Sequence, residues 1–100
     1  MTAVARKRNF QANAVQAHVL SNLRGCPDDI AAEIVGRVVE RTWSPPVELG
    51  RAVGLVATNL VRHRLTDYER MLDVNGLTRE EARLAVAPEV EAIIAGWRNP

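Results

Sequence analysis

The chain has 100 residues, 47% hydrophobic and 25% charged, a composition that excludes wholesale disorder and fits one domain around a single core. Thirteen basic against twelve acidic residues leave a formal charge of +1, so no global polycationic character marks the chain as a nucleic-acid binder. No apolar run approaches the roughly 20 residues of a membrane span, and Arg6-Lys7-Arg8 is not followed by the apolar stretch of a secretory signal.

Cys26 is the only cysteine, which rules out an intrachain disulfide and points to a reducing, cytoplasmic setting. Aromatics are scarce, so the core must come from Ala, Val, Leu and Ile on helix faces. Lys7 is the only lysine, and the other basic residues are arginines, whose planar guanidinium pairs bidentately with carboxylate or phosphate.

Residues 1–9 show no apolar periodicity and read as a flexible basic arm ahead of a single helical domain over 10–98. The first helix is expected from about Phe10 to Leu23, with Ala12, Val15, Val19 and Leu23 on one stripe, Leu20 beside it, His18 at its edge and Gly25 as terminator. The second runs from about Pro27 to Thr42. Proline suits its first position, Asp28 and Asp29 complement the positive end of the helix dipole, and the same aspartates disfavour a thiolate at Cys26. Its buried stripe is Ile30, Ala31, Ile34, Val35, Val38 and Val39, with Glu33-Arg37 as an i,i+4 pair on the other side. Gly36 costs about 1 kcal/mol against alanine, which predicts close helix packing there. Trp43-Ser44-Pro45-Pro46 stops the helix, and Trp43 caps one end of the core.

The third helix, about Pro46 to Arg64, is apolar on most of its circumference through Ala52, Val53, Leu55, Val56, Ala57, Leu60 and Val61. Such a helix is the central one, packed by neighbours on several sides. A narrow polar strip of Arg51, Gly54, Thr58 and Arg62 runs along it, and its last turn delivers Arg62, His63 and Arg64 to the surface. Thr66-Asp67-Tyr68-Glu69 has the spacing of a capping box and starts a short helix to about Val74, ended by Asn75-Gly76. Thr78 and Glu81 repeat the device for the next helix, which carries Ala82, Ala85 and Val86. Pro88 is expected to break or kink it, an interior proline costing about 3 kcal/mol. Val90, Ile93, Ile94 and Trp97 stripe the last segment. The fold class is therefore all-α, a bundle of five or six helices around a largely buried central one.

The joint from Val61 to Glu69 concentrates the chain's chemistry. Arg62-His63, Thr66-Asp67-Tyr68, Leu72, Gly76, Ala82-Arg83, Glu89-Val90 and Trp97 together resemble a domain-of-unknown-function family numbered twenty-two ninety-three, which occurs in bacteria, their phages and fungi. The Gly25-Cys26-Pro27 start of the second helix is similar too, so the resemblance spans roughly Val15 to Arg98, with Arg-His-x-x-Thr-Asp-Tyr as its specific core. It implies an all-α fold and no established activity. The family pattern has a longer Gly/Ser/Arg-rich connection between the second and third helices, where this chain has only Thr42 to Gly50.

Arg62, His63, Arg64, Asp67, Tyr68 and Arg83 are the candidate binding residues. Acid–base types meet at this joint, but there is no nucleophile elbow, phosphate loop, metal-ligand spacing or second carboxylate pair, so neither catalysis nor a cofactor is expected. Capping by Thr66 and Glu69, a hydrogen-bonded Tyr68, and pairing of Arg62 or Arg83 with Asp67 or Glu69 would account for the joint on structural grounds alone. The leading functional expectation is a non-enzymatic module that docks a protein partner or self-associates, using the apolar stripe of Val90, Ile93 and Trp97. The alternative is nucleic-acid binding through the basic arm and Arg62-His63-Arg64, which requires segregation of charge onto one face. No membrane or small-molecule partner is expected.

Overall fold

The computed structural model describes residues 6–100. Five helices follow one another: α1 (Ala12–Asn22), α2 (Asp28–Glu40), α3 (Leu49–Arg64), α4 (Tyr68–Asp73) and α5 (Arg79–Arg98). The fold is all-α; among the described residues the only extended pairing is an isolated antiparallel bridge between Arg8 and Trp43. No helix among them is long and apolar enough to cross a membrane.

In α2 the apolar spacing does what it predicts. Ile30, Ile34 and Val38 are buried, with Ala31, Val35 and Val39 half-buried beside them, each fully buried aliphatic side chain contributing about 1.5–3 kcal/mol. Pro27 stands just before the first turn, its carbonyl accepting the Ala31 N–H, and Asp28 and Asp29 occupy that turn. Trp43 closes the core at the other end, donating its indole N–H to the Val38 carbonyl at 3.2 Å.

The central helix is α3, which packs against each of the other four and buries Ala52, Val53, Ala57, Leu60 and Val61. Leu55, expected among them, is instead 46% exposed. The reason lies in the arrangement of its neighbours: α2 and α5 both pack on α3 with no packed interface between them, so a strip of α3 stays uncovered.

The last two expected segments are one helix. α5 begins with a complete capping box, Thr78 Oγ1 accepting the Glu81 N–H at 3.1 Å and Glu81 Oε1 accepting the Thr78 N–H at 3.0 Å. It then runs through Pro88 to Arg98. The proline is tolerated because it lies on the exposed side and the carbonyl it leaves without a donor, that of Leu84, belongs to a residue 67% exposed, where water substitutes. Val90, Ile94 and Trp97 are buried and Ile93 half-buried. The stripe expected to dock a partner is thus spent on the domain's own core.

Two glycines also differ from expectation. Gly25 is not a left-handed terminator; a side chain there would meet the Trp97 Cα at 3.1 Å, because the α1–α2 turn sits directly on the end of α5, the Gly25 N–H donating to the Trp97 carbonyl at 2.8 Å. Gly36 has nothing within 4 Å of the position a side chain would take, so packing does not require it. Gly76 ends α4 as its spacing predicts, at φ +67°. Of the basic arm expected over 1–9, residues 1–5 lie outside the described residues, while Arg8 and Asn9 are hydrogen-bonded to the α2–α3 connection.

Candidate functional site

The joint between α3 and α4 is built from two helix ends that share one threonine. Thr66 Oγ1 accepts the Tyr68 N–H at 3.2 Å, the first turn of α4, and donates to the Arg62 carbonyl in the last turn of α3. One hydroxyl therefore satisfies an orphan group on each helix. The capping box expected here does not form: Asp67, not Thr66, is the residue preceding α4, and its backbone is not extended (φ −82°, ψ 16°). Glu69 accordingly does not reach back to Thr66 but contacts His63 Nδ1 at 3.1 Å.

Tyr68 is the packing centre of the joint. It is 5% exposed, meets the His63 ring edge-on with centroids 4.9 Å apart, and carries the Arg62 guanidinium over its face at 5.8 Å. Asp67 is exposed and makes no side-chain cap. The ion pairs expected of Arg62 or Arg83 with Asp67 or Glu69 are not found among the described residues; His63 takes Glu69 instead.

The six sequence-nominated residues do not form one cluster. Arg62 and Arg83 turn into an open groove of about 790 Å³, where they are joined by Arg37 from α2, Arg41 just past the end of α2 and Arg51 from α3. Arg51 and Arg62 are eleven residues apart, three turns and roughly 16 Å along one face of the helix, with Leu55 and Thr58 on the floor between them. No carboxylate lines this groove; Arg62 and Arg83 also line the adjoining trough between α3 and α5, which carries Glu80 and Glu91. The Arg41 guanidinium lies over the Trp43 ring at 4.0 Å, a cation–π contact that restrains it. The polar strip read along α3 is thus the floor of a trough between α2 and α5.

His63 and Arg64 belong to different surroundings. Glu33 of α2 is only 26% exposed and holds Arg64 and, at 2.7 Å, Arg37, while His63 faces Glu69. Arg37, His63, Arg64 and Glu69 line a smaller cleft of about 420 Å³ with Asn59 and Leu60. The cations on that side are neutralised locally, and Arg37 stands between the two regions.

Sequence reasoning named Arg62 and Arg83 but not Arg37, Arg41 or Arg51 as binding residues. Their signal was present as same-face spacing, Arg37/Arg41 one turn apart and Arg51/Arg62 three turns apart, but which helix faces meet is a tertiary fact.

Cys26 is buried and its thiol pKa is pushed up to about 11, by burial first and by the Asp29 and Asp28 carboxylates next, so it stays protonated and unreactive at neutral pH. Among the described residues no group of three His, Cys, Asp or Glu side chains stands close enough to hold a metal ion. The site offers hydrogen-bond donors and positive charge, which suit an anion.

A family model described as "Uncharacterized conserved protein (DUF2293)" matches residues 9–98. No curated protein and no solved structure matches the chain.

Proposed function

Starting from a chain that belongs to the DUF2293 family, whose description assigns no activity, we propose that this domain acts by binding rather than catalysis, and that its ligand is the phosphate backbone of nucleic acid, held in the α2–α3–α5 groove. One observation carries the reading: five arginines converge on a groove with no carboxylate in its lining, in a chain whose formal charge is only +1. This is the charge segregation that a near-neutral composition conceals. The contact of Arg41 with the Trp43 ring at 4.0 Å lowers the entropy lost when Arg41 contacts a phosphate.

The form of nucleic acid follows from the aromatics. Phe10, Trp43, Tyr68 and Trp97, the four in the chain, are all below 9% exposed, so the domain has no platform on which unpaired bases stack. A duplex, read through its backbone and shape without base-specific contact, fits better. No cofactor takes part, and the cytoplasmic setting expected from the lone Cys26 suits such a ligand.

Fluorescence-anisotropy titration of labelled duplex and single-stranded DNA and RNA over a range of salt tests this. With Arg37 held by Glu33, four phosphate contacts on a duplex give a log–log salt slope of about −3.6, against about −2.8 on a single strand. Absence of binding to any of them at micromolar protein and low salt would remove the proposal.

Docking of a protein partner, or self-association, is the second reading. It is supported by Leu84, 67% exposed, beside a trough of about 520 Å³ between α3 and α5 that also takes in Ala87. Sedimentation at rising concentration, with Leu84→Asp as control, separates it from the first.

A further inference from the structure

Ahead of α1, Arg8, Asn9 and Phe10 lie against the protein. Arg8 and Trp43 exchange both backbone hydrogen bonds, Arg8 N–H to Trp43 O at 3.0 Å and Trp43 N–H to Arg8 O at 2.9 Å. Asn9 Nδ2 donates to Thr42 Oγ1 at 3.1 Å. The Arg8 guanidinium donates to the Val47 carbonyl at 3.2 Å, lies 3.9 Å from Glu48 and packs over the Phe10 ring at 4.5 Å. Phe10 in turn meets Trp43 edge-on at 6.5 Å.

These contacts grip both ends of the α2–α3 connection, residues 41–48, which has no helix of its own. Thr42 and Trp43 lie at its start beside Arg41, and Val47 and Glu48 lie at its end, a turn before Arg51. Arg41 and Arg51 both line the groove, and Arg41 rests on the Trp43 ring that the segment pins.

We infer that Arg8, Asn9 and Phe10 form a strap that positions Arg41 and Arg51 across the groove, so that the segment controls affinity without contacting the ligand. The inference rests on the groove reading for its effect on binding, but the strap itself is measurable without any ligand. An irregular connection left free samples many arrangements, and ordering it only on binding costs affinity. The strap takes that cost at folding.

The experiment compares four forms of the protein. Deletion of residues 1–9 removes the Arg8 and Asn9 contacts of the strap together with its charge; Arg6→Ser/Lys7→Ser removes charge and leaves the strap; Asn9→Cys/Thr42→Cys removes only the Asn9–Thr42 hydrogen bond when reduced and locks the strap when oxidised. Positions 9 and 42 flank the doubly bonded pair, where cross-strand side chains come closest and a disulfide fits. Hydrogen exchange is read first. The deletion should expose the Trp43 amide and the first turn of α3, while the serine variant protects them as wild type does. Duplex affinity is read second: the deletion should weaken it about tenfold, the serine variant no more than about threefold, and the oxidised form should equal or exceed wild type. Trp43 protection that survives the deletion would overturn the strap, whatever the binding data show. So would a serine variant as weak as the deletion, which would make the segment a contact arm. Wild type that exchanges as expected but binds no duplex would sink the groove reading and leave the strap as a structural element alone.

Discussion

Arg62 and Arg64 leave the same turn of α3 and meet opposite electrostatic circumstances. Arg62 lies over Tyr68 and faces a groove whose lining carries four more arginines and no carboxylate. Arg64 points to the other side and is held by Glu33, which also holds Arg37. Neighbouring positions in sequence therefore say little about which cation is free to bind. What decides it is the placement of a single carboxylate one turn before Arg37 on α2: Glu33 turns one side of the joint into a structural clamp and leaves the other charged.

The largest test of this contrast is charge reversal in the groove. Arg51→Glu/Arg62→Glu should weaken duplex binding about a hundredfold at moderate salt and flatten the salt slope by about 2, whereas Arg64→Gln should change affinity by no more than about twofold. Equal losses in the two variants, read by anisotropy, would erase the distinction between the sides.

Alkaline pH separates the charge of the groove from the stability of the fold. The folded thiol of Cys26 titrates near 11, above its ordinary value of 9.0, so between those values the unfolded chain has released a proton that the folded chain retains. Stability must therefore fall as pH rises through that window, by about 2 kcal/mol in all. The arginines stay charged throughout. Denaturation midpoints between pH 8 and 10.5 should drop in wild type and stay flatter in Cys26→Ala, while binding persists for as long as the domain is folded.

Removing the clamp should shift charge from one side to the other. Glu33→Gln frees Arg37 and Arg64; the expected results are a stability loss of about 1 kcal/mol in urea denaturation and duplex affinity higher by about two- to fivefold. An unchanged affinity would mean that Arg37 does not reach the ligand. The smallest effects compare two open glycines. Gly36→Ala and Gly54→Ala each place a methyl group where nothing lies within 4 Å and should each raise stability by about 1 kcal/mol. Only the second, whose methyl stands on the groove floor, should lower affinity, by less than about threefold.

Local chemistry was legible in the sequence wherever the answer depended on neighbours along the chain. The α2 stripe, the Glu33-Arg37 pair and the Thr78-Glu81 box are such cases. Thr66-Glu69 has the same spacing as Thr78-Glu81 but a different outcome, because a second helix end lies within reach of Thr66 and a histidine within reach of Glu69. Pro88 misled for a related reason: its cost is set by whether the orphaned carbonyl faces core or water, and helix periodicity alone does not orient α5. The groove was the least legible part. Its arginines come from three helices, and only the divergence of α2 and α5 over α3 brings them together. Leu55 marks the same divergence, an apolar residue that periodicity placed inside and packing left at the surface.

The contact between Gly25 and Trp97 has a consequence for how the domain is made. Synthesis delivers α1 and α2 first, and they can pair as soon as both have left the ribosome. The turn between them, however, finds its seat on the carbonyl of Trp97, nearly the whole domain later in the chain. Until α5 emerges, one long flank of α3 has no cover and its buried side chains meet solvent or whatever holds nascent chains. Completion of the core is therefore gated by translation of the final helix, and a ribosome stalled between α4 and α5 would present an open, sticky intermediate.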